Sequence, residues 1–186
     1  MKRIILILLL ATLSVGCKQN AVSQGNVSQA DETRAPDVQV EVLSEPYMEP
    51  FSYEPMHDTD EIFSRMRIQF HLPAQAEQVE LAIVTSQNNY TCAQAVFTVN
   101  GMPCYYRVAY TVDAHNLSDD NTTYEENKTV PFKDHCSYLL NLNTASGRVL
   151  WYDSYQGTSN SLYVPYAMDA ELLETLTQEL MEAQGL

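Results

Sequence analysis

The chain is 186 residues long, enough for one domain whose core folds without disulfide help. Its 24 acids against 10 bases leave a formal net charge of −14, which argues against binding nucleic acid, or anionic lipid by charge alone. Four cysteines include no Cys-x-x-Cys pair, so neither a thioredoxin-type redox motif nor a zinc ribbon has support.

In chain order, Lys2 and Arg3 precede an apolar run, Ile4 to Leu13, broken only by Thr12; Ser14, Val15 and Gly16 then lead to Cys17. A basic start, a short apolar stretch and a small residue before a cut make a secretory signal. The run is too short to cross a bilayer, which takes about 20 apolar residues. Gly16-Cys17 resembles the lipobox of bacterial lipoproteins, with Ser14 where that family prefers Leu and Leu13 one place further out. The resemblance implies cleavage after residue 16, a diacylglycerol on Cys17, and a lipid-anchored outer-membrane protein facing the periplasm or the surface. The alternative is an ordinary signal peptide that leaves Cys17 for a disulfide. Lys18 to Pro36, rich in Gln, Asn, Ser and Ala, lacks apolar periodicity and reads as a flexible tether, which favours the anchor. The expected organisation is a signal peptide over 1–16, a lipidated cysteine with its tether over 17–37, and a single β-rich domain over 38–186.

Val38, Val40 and Val42 alternate with polar neighbours and predict a short strand. Glu45 to Pro55 mixes prolines with Tyr47, Phe51 and Tyr53 and predicts an extended edge or covering segment; exposed stretches of this kind also serve as binding strips. Met66, Ile68, Phe70 and Leu72 predict a half-buried strand that pairs with a second over Val79 to Val84. Asn100-Gly101, between two alternating runs, predicts a type I′ hairpin of Thr91 to Val99 with Cys104 to Val112. In a two-residue turn Phe97 faces Cys104, Ala95 faces Tyr106 and Ala93 faces Val108. Cys92 then points to the opposite face from Cys104.

Asp113 to Lys133 is polar and predicts a solvated surface loop. Asp119, Asn121, Thr123 and Glu125 alternate oxygen ligands, but no glycine supplies the bend of a calcium loop. A second hairpin runs from Cys136 to Leu142 and from Val149 to Trp151. The stretch Leu142 to Trp151 is similar to hairpins of quinoprotein-type propeller blades and of some bacterial envelope lipoproteins; one copy excludes a propeller. Leu162 to Tyr166, with Pro165, predicts an edge strand. Asp169 caps a C-terminal helix with a stripe of Leu172, Leu173, Leu176, Leu180 and Met181. Glu171, Glu174, Glu179 and Glu182 take its other face.

These readings predict a mainly β domain, an antiparallel β-sandwich of about seven to nine strands closed by one C-terminal amphipathic helix. With Cys17 acylated, Cys92, Cys104 and Cys136 remain; one disulfide is expected, Cys104 with Cys136 favoured because both fall on inner faces. No nucleophile elbow, phosphate loop or dinucleotide glycine pattern occurs, and the histidines lack ligand spacing. The expectation is a non-enzymatic lipoprotein with no cofactor and no metal, an accessory or assembly component of a bacterial envelope complex. Lipoproteins of type VI secretion machines are a precedent at the level of fold. Tyr105 and Arg107, on the outer phase of their strand, and Glu171 and Glu174, on the polar helix face, are the expected partner or ligand surface. A surface glycan-binding module, motivated by twelve tyrosines and Trp151, is the alternative.

Overall fold

In chain order the elements are β1 (Ser52–Met56), α1 (Thr59–Met66), β2 (Glu77–Thr85), β3 (Thr91–Val99), β4 (Met102–Ala109), a 3₁₀ turn (Ala114–Leu117), β5 (Glu126–Phe132), β6 (Cys136–Leu142), β7 (Gly147–Asp153), β8 (Thr158–Val164) and α2 (Ala170–Ala183). This computed structural model describes residues 50–110, 113–133 and 136–186, all within one compact unit. The expected leader, the lipidated Cys17, the tether and the strand at Val38 to Leu43 lie outside the described residues.

All eight strands join antiparallel in one sheet, in the order β1-β2-β3-β4-β8-β7-β6-β5. The mainly β class and the C-terminal helix are as expected. The described residues contain one sheet, however, where the sequence led us to expect two. The sheet is two meanders, β1 to β4 and β5 to β8, stitched by β4 against β8. The Asn100-Gly101 turn, with φ of 52° and 75°, sets the expected register: Phe97 opposite Cys104, Ala95 opposite Tyr106, Ala93 opposite Val108. The hairpin of β6 and β7 also forms, with Tyr138 opposite Trp151.

Three local expectations are corrected. Met66 to Leu72 is not a strand. Asp58 caps α1 by accepting from the Glu61 amide at 2.8 Å, and Arg67 ends the helix in a left-handed turn at φ 60°. Ile68 and Phe70 still point inward, so the alternation records an extended segment that buries every second side chain without entering a ladder. Within the stretch expected to be a solvated loop, Glu126–Phe132 forms the strand β5 at the far edge of the sheet. And β8, expected at an edge, is central; Pro165 falls just past its end, where no ladder amide is needed.

The two faces are closed differently. On one, Ala95, Phe97, Tyr106, Val108, Leu140, Val149, Trp151 and Leu162 form a continuous apolar core with Leu173, Leu176, Leu180 and Met181 of α2 and Ile62 of α1. Gly147 lets α2 approach: a Cβ there would stand 2.7 Å from Leu173 Cδ2. On the other face the connection from β4 to β5 must cross β8, β7 and β6, roughly 19 Å at about 4.8 Å per strand. That crossing strap, 113–124, covers the sheet. Leu117 packs on Ala82, Val84, Cys92 and Ala109, and the rest of the strap is held by hydrogen bonds and by the ion pairs of Asp119 and Asp120.

Candidate partner site at the sheet edge

The polar strap is fastened by two arginines. Arg107 Nη1 meets Asp119 Oδ2 at 2.5 Å and donates to the Leu117 carbonyl at 3.0 Å, while its Nε donates to Gln94 Oε1 at 2.7 Å. Arg148 reaches Asp120 Oδ2 at 3.3 Å, bonds Asn141 Oδ1 and lies over the Tyr124 ring at 4.8 Å. Tyr124 donates its hydroxyl to Asp120, and burial with that carboxylate raises its pKa far above the ordinary value. This corrects the expectation for Arg107, which is 1 % exposed and, from β4, holds the strap in place rather than facing a ligand. Tyr105, half-buried on the same face, packs against Tyr163 with ring centroids 6.1 Å apart.

The remaining expected residues scatter. Glu171 is exposed on the first turn of α2; Glu174 is partly covered, accepting from Tyr138 OH at 3.1 Å. The helix stripe is spent on the protein's own core, so α2 offers a partner only its acidic side. Cys104 and Cys136 are free thiols. The register sets them three strands apart and six residues out of row, since Leu142 and not Cys136 lies level with Cys104 across β8 and β7. That is roughly 14 Å across and 20 Å along the sheet, beyond the reach of a disulfide. Inner-face phase was therefore a necessary condition for the pair and not a sufficient one. Cys92, on the strap face, is separated from Cys104 as the register predicted.

A concave site lies at the β1 edge. Between β1, the start of α1 and the first residues of β2 runs a groove of about 600 Å³. Tyr53, Pro55, Met56, Leu72, Val79 and Leu81 give it apolar walls, and His57, Asp58 and Glu80 are its ionisable groups. It exists because β2 outruns β1: the pairing ends at Met56 opposite Leu81, where the chain turns away into α1, and Glu77 to Glu80 continue without β1 beside them. Tyr53 is 50 % and Val79 38 % exposed, and Phe51, two residues before Tyr53, adds exposed apolar surface. Partial burial and the Glu80 carboxylate both disfavour ionisation of Tyr53, so its hydroxyl stays a donor. Among the described residues no cluster of His, Cys, Asp and Glu is arranged to hold a metal ion. The groove can grip an apolar side chain and pair a cation; it brings together none of the residues expected from sequence. The signal that marked it was the proline and aromatic stretch ending at Pro55.

The described residues thus form a mainly antiparallel β domain with one sheet, a C-terminal helix on one face and a charge-fastened strap on the other. Comparison with protein-family models, with curated proteins and with solved structures found no match.

Proposed function

We propose that the protein is a lipid-anchored, non-catalytic accessory or assembly component of a bacterial envelope complex, for example a secretion-type machine. The observation that carries this reading is the leader: Lys2 and Arg3, the apolar Ile4 to Leu13, then Gly16-Cys17 and a polar tether to Pro36. A lipid on Cys17 holds the β domain at the outer membrane, and the tether lets it stand off the surface to meet a partner. The β domain fits the role with an exposed apolar edge and an acidic surface on a rigid sheet. A sugar-binding reading is less well supported, because the single Trp151 is buried and stacks on Tyr106 at 5.8 Å rather than forming part of a platform.

The test is to express the full chain and its Cys17→Ala variant in a bacterial host fed an alkyne-bearing palmitate. Label on the native chain that is absent from the variant, together with a defined set of envelope proteins recovered from gently solubilised membranes only by the native chain, is the expected result. Unlabelled protein, or a native chain that recovers the same proteins as the variant, overturns the reading.

A further inference from the structure

We propose that the groove at the β1 edge binds an extended, lysine- or arginine-bearing segment of another protein, which lies along the open side of β1 and sets a cationic head group between Glu80 and Asp58. The proposal rests on the assembly reading above and characterises the partner that reading requires.

Among the described residues no strand pairs with β1 on its far side, and that open side can be identified from its main chain. Thr85 O accepts from Phe51 N, which turns Thr85 toward β1; by strand alternation its partner Ser52, with Glu54 and Met56, faces β2. Tyr53 and Pro55 therefore direct their main-chain groups outward. Pro55 has no N–H to offer and stands where an N–H would face away from the sheet, the position an edge strand tolerates. Tyr53 presents both an N–H and a C=O to an added strand. Such an addition draws affinity from main-chain bonds and specificity from the pockets that take alternate side chains. Those pockets are the groove itself, with Tyr53, Leu72 and Val79 to receive an aliphatic stem.

Charge selects the occupant. Both carboxylates of the groove, Asp58 and Glu80, are exposed, and Glu77 follows on the same open stretch of β2. The neighbouring cation, Arg65, is already held by both oxygens of Glu54 at 2.9 Å. A second copy of this chain, with 24 acids and 10 bases, brings like charge to the site. The two edges of the sheet differ in the same sense. The far edge strand, β5, carries Lys128 and Pro131, residues that blunt an edge against further pairing. At the near edge β1 also carries a proline, Pro55, but no lysine, and the bulged stretch Glu77 to Glu80 beside it is acidic, so it repels acidic strands while admitting basic ones.

The probe is a capped hexapeptide of alternating lysine and valine, titrated into the full-length protein beside a glutamate–valine counterpart and a lysine–valine peptide N-methylated at alternate amides. Hydrogen exchange read by mass spectrometry should show protection in the segments around Ser52–Met56 and Glu77–Leu81 with the lysine peptide alone. The exposed charge reversal Glu80→Lys should weaken that binding by about tenfold or more without altering the melting temperature. Equal binding of the glutamate or N-methylated peptide, an unchanged affinity in Glu80→Lys, protection elsewhere, or no binding at millimolar peptide overturns the proposal. So does a concentration-dependent dimer that Glu80→Lys alone dissolves, which would assign the groove to a second copy. The two readings fail separately. Envelope proteins recovered equally by wild type and Glu80→Lys remove this site and leave the assembly role standing. Lysine-peptide binding with no envelope partner recovered does the reverse.

Discussion

The two faces of the sheet solve the same problem with different chemistry. Under α2, closure is mainly apolar: each apolar side chain removed from water contributes roughly 25 cal/mol per Å², and Gln184, with Trp151, Tyr106 and Asn160, sets an uncharged group of mutually bonded side chains into it. Under the strap, closure depends on two arginines and two aspartates set in a layer of polar side chains that includes Gln94, Asn141 and Ser161. Paired and fully hydrogen-bonded, such charges roughly break even against an apolar layer, but each one left alone is severely penalised. The apolar face should therefore lose stability in proportion to what is removed. The charged face should fail at the first missing partner.

The largest effect expected is at Arg107, whose side chain is 2 % exposed and whose partner Asp119 is fully covered. Arg107→Ala should cost about 3–5 kcal/mol, because it strands a buried carboxylate. Arg107→Met combined with Asp119→Leu should recover part of that loss: the two charges leave together, while the Gln87 amide and Gln94 lose a partner and leucine must take the left-handed φ of 50° at position 119. Urea denaturation of the three proteins measures both. If the double variant is no better than the single, the penalty lies in packing and the contrast between the faces is lost. On the other face Leu176→Ala, at a fully buried α2 position, should cost about 3 kcal/mol with no partner able to rescue it.

Each face also holds one buried thiol, which gives a pH test. Burial pushes Cys92 and Cys104 up to about 12 from an ordinary value near 9; at Cys92 the nearby Arg107 lowers the value slightly and Asp119 raises it. The unfolded thiols ionise first, so the unfolded chain binds fewer protons than the folded one between these values. Stability is therefore intact below about pH 9 and falls as pH climbs toward 12. Cys92→Ala and Cys104→Ala should each flatten the alkaline arm of a stability–pH profile. Alkylation at pH 8 should reach the half-buried Cys136 first and the other two only on unfolding. Rapid native labelling of Cys92 would mean that the strap opens on its own.

Which parts of this molecule could be read in advance follows from how local each cause is. The Asn100-Gly101 register needs only two turn residues and two alternating runs, and α2 needs only its cap and stripe. The helix α1 was legible but missed: Asp58 followed by Glu61 is an N-terminal signature, overridden by the period of two in Met66 to Leu72. The strap was not legible. Asp119 and Asp120 sit in a run of polar residues that reads as solvated, and their partners lie 12 and 28 residues away. Only the sheet order, which carries the β4–β5 connection back across Arg107 and Arg148, turns those acids inward. The groove was half legible: the proline and aromatic stretch marked the strip, while the notch beside it depends on where β1 stops against β2.

The smallest effect expected is at Arg65, and it tests the argument most directly because the chemistry is the same as at Arg107. Arg65 grips Glu54 by both oxygens at 2.9 Å, a better-formed pair on paper than Arg148 with Asp120 at 3.3 Å. Both partners are half exposed, at 48 % and 54 % of their side chains. Water already solvates each charge, so breaking the pair leaves neither one stranded, and holding two long side chains in one geometry carries an entropic cost. Arg65→Ala should therefore change stability by no more than about 0.5 kcal/mol and lose even that in 1 M salt. A loss approaching that of Arg107→Ala would show that geometry rather than burial governs these pairs. The strap would then owe its hold to hydrogen-bond number and not to the isolation of its charges from water.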